Sequence, residues 1–269
     1  MTQRIPFQER KTPWRGLLDL ATGRYPRFLF GGGIGSCVPV FHFHEVTASG
    51  LEPYLRRLAE SGFRTIASDA LAAYVLRGTH PGPKSVMLCF DDAWASLWTV
   101  AAPLMRKYCQ QAVTFAIVGR IADAESVRPV LGEPGFDPLA DRSATPYCTW
   151  PELRALAASG IVDVQAHTWH HAKMFCDQSV TGFITPGFTT HPHDAPHVIS
   201  DQVLQNIPHT PVPGGPAQRP LGPADLGAPL HLVRSAMSDA LEYDDSAARQ
   251  VCMEQVKSGG GVDFFGSSG

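Results

Sequence analysis

The segment Ser85-Val86-Met87-Leu88-Cys89-Phe90-Asp91-Asp92-Ala93-Trp94 runs from unbroken apolar character straight into two adjacent carboxylates, with Pro83 just before it. A run this short and this apolar is what a strand buried on both faces of a parallel sheet requires. Its C-terminal end lies on the edge where open α/β sheets and α/β barrels bind ligands. Asp-Asp pairs also occur in turns and helix caps, so the pair alone decides nothing. A second segment, Val162-Asp163-Val164-Gln165-Ala166-His167-Thr168-Trp169-His170-His171, repeats the pattern with imidazoles in place of carboxylates. Two strand ends therefore carry potential ligands.

The elements around them alternate. Cys37–Phe43 reads as a first strand, with His44 and Glu45 at its end. Leu51, Tyr54, Leu55 and Leu58 fall at i, i+3, i+4 and i+7 of a helix closed by Gly62. Phe63–Ile66 is a short strand, and Ala70–Leu76 a second helix stopped by Gly78. After the Asp pair, Leu97, Trp98, Leu104, Met105 and Tyr108 suggest a helix that Pro103 must open or kink. Ala112–Val118 is rich in β-formers, and the Pro/Gly/Asp-rich loop Glu133–Pro146 is long enough to be functional. Thr149 and Glu152 have capping-box spacing ahead of Leu153 and Leu156, with Gly160 as the stop before a strand over Ile161–Ala166. Alternation of this kind predicts an α/β fold with a parallel sheet, right-handed crossovers and consecutive strands side by side.

Past Ala166 the texture changes. The stretch 175–232 is rich in Pro, Gly and His with little periodicity, and 235–256 returns to a helical pattern. Five strands are too few to close an ordinary α/β barrel, so an open or incomplete one is expected. With 269 residues and 44% hydrophobic content, one large domain over 37–269 behind an extension at 1–36 is the simplest division.

Composition excludes some partners. A net charge of -3 supplies no basic field for nucleic acid or an anionic membrane. The six cysteines (Cys37, Cys89, Cys109, Cys148, Cys176, Cys252) form no CxxC, and Cys89 sits inside an apolar strand; they read as reduced and structural, in a compartment that is not strongly oxidising. Residues 1–15 contain Arg4, Glu9, Arg10, Lys11 and Arg15 with no apolar core of a signal peptide, and 28–35 is too short and glycine-broken to span a membrane. A cytoplasmic location without a membrane span is the expectation. The glycines at 31–35 precede a strand, which is the wrong place for a dinucleotide fingerprint.

On a helical turn, His167 and His171 would project from one face and share a metal ion, with His170 pointing elsewhere. A carboxylate from a neighbouring strand end would complete two imidazoles and one oxygen, leaving open positions for water and substrate, as catalytic zinc sites do. With 11 histidines in the chain, an HxxxH spacing by itself is weak; it is the pairing of the two strand ends that carries weight. His42 and His44 are expected on opposite faces of the first strand, His44 as a candidate to line the site and His42 as a core histidine. Trp98 and Trp150 read as packing residues. Trp94 and Trp169 are candidates to line the cleft, while His191 and His193 belong more naturally to a solvated loop than to a second metal site.

In this order the motifs resemble the polysaccharide deacetylases, the NodB-homology group of carbohydrate esterase family 4. Phe90-Asp91-Asp92 resembles the first family signature, and His167-Thr168-Trp169-His170-His171 the second, H-[ST]-x-x-H. The segments Pro39-Val40-Phe41-His42-Phe43-His44-Glu45-Val46 and Trp150-Pro151-Glu152-Leu153 are similar to flanking features, so the resemblance covers about Val38 to His171. It implies a distorted (β/α) barrel of about seven strands and a divalent ion, zinc or another such as cobalt. It further implies Asp91 as catalytic base, Asp92, His167 and His171 as metal ligands, and hydrolysis of the N-acetyl group of a sugar or polysaccharide. Substrate contacts are then expected from His44, Trp94 and Trp169. Two features depart from the pattern. Ala93 replaces the usual glycine after the Asp pair, which a negative φ would tolerate, and the arginine-proline signature and late Leu-His element are missing. The family's acid is a late histidine, for which His193, His197, His209 and His231 are the downstream candidates. A deacetylase-like carbohydrate-binding domain without the acid half of the site is therefore the alternative.

Overall fold

The computed structural model describes residues 35, 37–189, 195–199, 218–237 and 242–266. Most of the 1–36 extension, and His191, His193 and His209, lie outside them. Contacts divide the chain into two compact units, one ending at His167 and the other beginning at Thr168.

The first unit is an α/β layer. Its strands are β1 (Val40–Phe43), β2 (Arg64–Thr65), β3 (Ser85–Asp92), β4 (Ala112–Ala116) and β5 (Val162–Ala166), and every pairing among them is parallel. The order is β1-β3-β4-β5, with β2 on the first residues of β3. Consecutive strands thus do not all lie side by side: β1 skips β2 to pair with Met87–Phe90, because the two-residue β2 covers only Ser85 and Val86.

β3 is buried on both faces, as its composition demands. Met87 and Cys89 pack with Ile66 and Val113 on one side. Leu88 and Phe90 face the other, against Leu51 and Leu55 of α1 (Ala48–Glu60), Leu104 and Met105 of α3 (Ala102–Lys107), and Leu153 and Leu156 of α4 (Trp150–Ala158). The i, i+4 spacing of Leu51 and Leu55 turns one stripe of α1 toward the sheet. Thr47 caps that helix, its Oγ1 accepting from the Gly50 N–H at 3.2 Å. Helix α2 (Ser68–Arg77) is held at its start by β5: Asp163 accepts from the Ser68 N–H at 3.0 Å and the Ser68 hydroxyl at 2.5 Å, a carboxylate at the positive end of a helix. It ends at Gly78, whose φ of 70° is easy only for glycine.

Pro103 both opens α3 and widens the turn before it, Leu97–Ala101, into a π-turn. Proline has no N–H to give to the Thr99 carbonyl, and the Leu131 N–H takes its place at 2.7 Å, fastening the long loop to the helix start. Further along, Glu152 accepts from the Thr149 N–H at 2.8 Å, the backbone half of the expected capping box.

The second unit corrects the expectation of an irregular 175–232 region without strong strands. It holds β6 (Lys173–Phe183), β7 (Pro196–Ile199), β8 (Gln218–Pro220) and β9 (Pro229–Ser235) in the order β8-β7-β6-β9, followed by α5 (Ser246–Ser258). The 11-residue β6 escapes a reading based on apolar runs because much of it is exposed and its pairing with β9 is bulged, which breaks the period of two. Phe175, Ile184, Val198, Leu221 and Ala228 form the small core of this unit. Asp225 receives both terminal nitrogens of Arg219, and Asp244 those of Arg249, replacing solvent for two carboxylates. Among the described residues, no helix is long and apolar enough to cross a membrane.

Candidate active site

The sheet delivers Asp91 and Asp92 at the C-terminal end of β3, and His167 just past the end of β5, with β4 between them. The His167 N–H donates to the Ala116 carbonyl at 2.9 Å and so continues the ladder up to the imidazole. His167 Nε2 stands 4.0 Å from Asp92 Oδ1. That is too long for a hydrogen bond, yet less than twice a metal–ligand bond of about 2.1 Å, so both atoms can touch one small cation. A carboxylate oxygen and an imidazole nitrogen are also the donors that zinc-like ions take. The residues of this unit fit a divalent metal.

The two aspartates keep different company. Asp92 is only 5% exposed, and the Trp94 indole Nε1 donates to its Oδ2 at 3.3 Å. Asp91 is gripped from the other side: the Cys89 thiol donates to Oδ1 at 3.1 Å, and His42 Nδ1 lies 3.3 Å from Oδ2. Burial, then the hydrogen bond to Asp91, pushes the Cys89 thiol well above its ordinary range. Positive φ at Asp92 (71°) and at Ala93 (58°) turns the chain sharply after β3, whose alternation has already set the two carboxylates on opposite faces. The condition under which alanine is easily tolerated there, a negative φ, is not met; its backbone takes the conformation that glycine adopts at least cost.

Trp94 requires a correction too. It is 4% exposed and packs on Tyr147 at 4.9 Å, so it holds Asp92 from behind and offers no face to a substrate. His42 and His44, expected on opposite faces, share one, with ring centroids 6.4 Å apart. Two residues along a strand is one full period. Nor is His42 a core histidine, since its ring is exposed beside Asp91. His44 is exposed.

Sequence reasoning missed two neighbours. Arg120 ends a 3-10 turn (Val118–Arg120) just beyond β4, where burial lowers its pKa and the charges of Tyr147 and Asp92 act in the opposite sense. Tyr147 is buried, and that burial pushes its phenol above the ordinary value, with Arg120 opposing and Asp92 adding to the rise. An arginine four residues past a strand end was the available signal. Tyr147 had none, because a long loop delivers it. That loop is tied at several points: the Ala95 N–H donates to the Pro146 carbonyl, the Cys148 N–H to the Ala93 carbonyl, and the Ser96 N–H to Asp141 at 2.7 Å.

In the second unit, His171 does not lie on a helical turn with its neighbours. Its φ is 54°, and its N–H donates to Thr168 Oγ1 at 2.7 Å, a side-chain turn that competes with helix. Trp169 is 57% exposed and meets His170 edge-on. Two of the downstream histidines are built into sheet: His197 is buried in β7 with Nδ1 3.2 Å from the Ala195 carbonyl, and His231 lies in β9 between the rings of Phe175 and Tyr243.

A carboxylate pair on one parallel strand and an imidazole two strands away define the class, and the chain belongs to the polysaccharide deacetylase family, whose model matches residues 78–215. The poly-β-1,6-N-acetyl-D-glucosamine N-deacetylases of Escherichia coli K12 and O157:H7 are each 30% identical to it over 156 residues, 58% of this chain and 22% of theirs. The chain thus spans about a fifth of the length of these curated relatives. Among solved structures, the BpsB deacetylase domain from Bordetella bronchiseptica is similar at 20% identity, covering 55% of this chain and 61% of that one, with a TM-score of 0.41. IcaB from Ammonifex degensii is similar at 22% identity, with 52% and 56% covered and a TM-score of 0.38.

Proposed function

We propose that the protein is a metal-dependent hydrolase that removes acetyl groups from an N-acetylated sugar polymer, with glucosamine-based chains as the first substrates to try. The observation that carries this reading is the 4.0 Å approach of His167 Nε2 to Asp92 Oδ1 at the sheet edge, with the Asp91 carboxylate adjacent in sequence and turned elsewhere. Family membership and the name of the curated relatives support the substrate class. The five parallel strands fit a distorted (β/α) barrel, open at its C-terminal side, as the finer fold.

Asp92 and His167 would hold the divalent ion, most simply zinc. His171 joins them on sequence grounds, as the last residue of H-[ST]-x-x-H. Bound there, the ion supplies Lewis acidity toward the acetyl carbonyl and a water of lowered pKa. Every other role falls to the chain. Asp91 takes the proton of the attacking water and, as the C–N bond breaks, returns it to the leaving nitrogen, so that one amide and one water give acetic acid and an amine, which leave at neutral pH as acetate and an ammonium. Trp94 fixes the carboxylate of Asp92, as outer-shell partners do. Arg120 supplies positive charge against the negative charge that grows on the acetyl oxygen. Trp169 and His44 present exposed rings to the sugar.

The test is acetate release from β-1,6-linked N-acetylglucosamine oligomers and from chitooligosaccharides, with Zn²⁺ or Co²⁺ added. Asp91→Asn keeps the shape of the side chain and removes the base, and a loss of about 10²–10⁴ in kcat is expected. Equal rates in wild type and Asp91→Asn refute the reading. Binding of oligomers without turnover in either protein would favour a carbohydrate-binding domain.

A further inference from the structure

Next to the proposed active centre lies a second constellation of ligand atoms that the mechanism does not use as such. His42 and Cys89 are register partners on the adjacent strands β1 and β3, which puts their side chains on one face. Cys89 and Asp91 are two apart on β3 and share that same face. One ring nitrogen, one sulfur and one carboxylate oxygen from the three residues all lie within 4.8 Å of one another. Three ligand atoms at such spacing can meet one ion through bonds of about 2.0–2.3 Å after small side-chain adjustments. Their backbones are already fixed by the parallel ladder, so little has to be ordered on binding.

We propose that His42, Cys89 and Asp91 form a second divalent-cation site, selective for thiophilic ions of the zinc and cobalt type. The donor set argues for that selectivity. A thiolate and an imidazole prefer zinc, cobalt and their like over magnesium or calcium, which take oxygen ligands. The pair Asp92 and His167 offers only oxygen and nitrogen, so sulfur distinguishes the two sites. Access is open on one side: Cys89 is completely buried, but the His42 ring above it is exposed and can turn aside to admit an ion. The thiol now donates its proton to Asp91 at 3.1 Å. A cation binding there displaces that proton to solvent and sits between sulfur and carboxylate, neutralising both.

Occupancy has a functional consequence that rests on the deacetylase reading. Asp91 bound to a cation has no lone pair aimed at the attacking water, so the second ion inhibits. Excess zinc would then act as a brake, through residues separate from those that hold the working ion.

The experiment is a Co²⁺ titration of the full chain followed by absorption. A thiolate ligand adds a near-ultraviolet sulfur-to-cobalt charge-transfer band, which an oxygen and nitrogen site lacks. The band should grow in the wild type, vanish in Cys89→Ser, and survive in His167→Ala. His42→Ala, an exposed change that leaves the core intact, guards against misfolding of Cys89→Ser. It should move the band's midpoint to higher Co²⁺ by at least the roughly 10–100-fold that loss of even an outer-shell partner costs. Absence of the band in the wild type, or an unchanged midpoint in His42→Ala, overturns the site. The readout needs no substrate, so failure of the deacetylase reading leaves it standing. Turnover without the band removes the second site alone.

Discussion

Glu152 offers a strong test of how the first unit holds its site together. The side chain is 0% exposed, yet its two oxygens take four N–H groups: the Arg128 backbone N–H at 3.0 Å, Arg128 Nε at 2.8 Å, Arg128 Nη2 at 2.6 Å and the Thr149 N–H at 2.8 Å. Arg128 in turn donates to the Thr145 carbonyl at 3.0 Å and the Tyr147 carbonyl at 2.7 Å. The clamp therefore closes the loop that sets Tyr147 against Trp94, and Trp94 against Asp92. Glu152→Ala strands a guanidinium in a site built to neutralise it, and breaking a buried pair in this way costs about 3–5 kcal/mol. For a unit of this size that corresponds to a fall of roughly 6–20 °C in Tm. Arg128→Met should cost a similar amount. The double variant should lose less than the sum by on the order of 1–3 kcal/mol, since each partner has little left to lose once the other is gone. Differential scanning calorimetry of the four proteins completes the cycle. Glu152→Ala within about 1 kcal/mol of wild type, or strictly additive losses, would refute the clamp.

Trp94→Phe keeps the ring against Tyr147 but removes the N–H that holds Asp92. Zinc affinity measured against a competing chelator should fall about 10–100-fold with the fold intact. For Asp163, burial alone would raise the carboxyl pKa, but the hydrogen bonds from Ser68 and Gln165 outweigh it and hold it below the ordinary value. A depressed folded-state pKa contributes stability that is present above the unfolded value of about 3.9 and is lost as pH falls through the folded value. Asp163→Asn should therefore cost about 1–2 kcal/mol at neutral pH, and its urea midpoint should converge with that of wild type as pH drops below about 4. Trp169→Ala should raise KM for an oligosaccharide roughly 2–10-fold with little change in kcat, as loss of one stacking face predicts; an unchanged KM removes Trp169 from the substrate path.

What the amino-acid sequence alone reveals follows from how local each signal is. β3 announces itself because burial on both faces leaves no polar position between Ser85 and Asp91. α1 announces itself through a stripe of leucines, and α2 through its glycine stop. β6 does not, because a strand exposed for much of its length and bulged against β9 has no period to detect. Tyr147 and Arg128 were invisible for a different reason: a loop that wraps back on the sheet is placed by hydrogen bonds to distant carbonyls, which leave no mark on spacing. The Pro103 signal was half legible. The missing N–H was certain from the sequence, but that its orphaned Thr99 carbonyl would fasten Leu131 was not.

The Asp91-Asp92 pair shows the same limit at the level of chemistry. In sequence the two carboxylates are equivalent neighbours, and only family resemblance gives them different roles. The pleat separates them physically: successive residues of β3 face opposite ways, and Asp91 shares the face of Cys89. One carboxylate is thereby turned into buried surroundings with an indole N–H and an imidazole, and the other toward a thiol and an exposed ring. Positive φ at Asp92 and Ala93, at a cost of about 1–2 kcal/mol for the alanine, then turns the chain out of the sheet directly after them. Division of labour between two identical side chains is thus decided by backbone conformation, before any metal or substrate arrives.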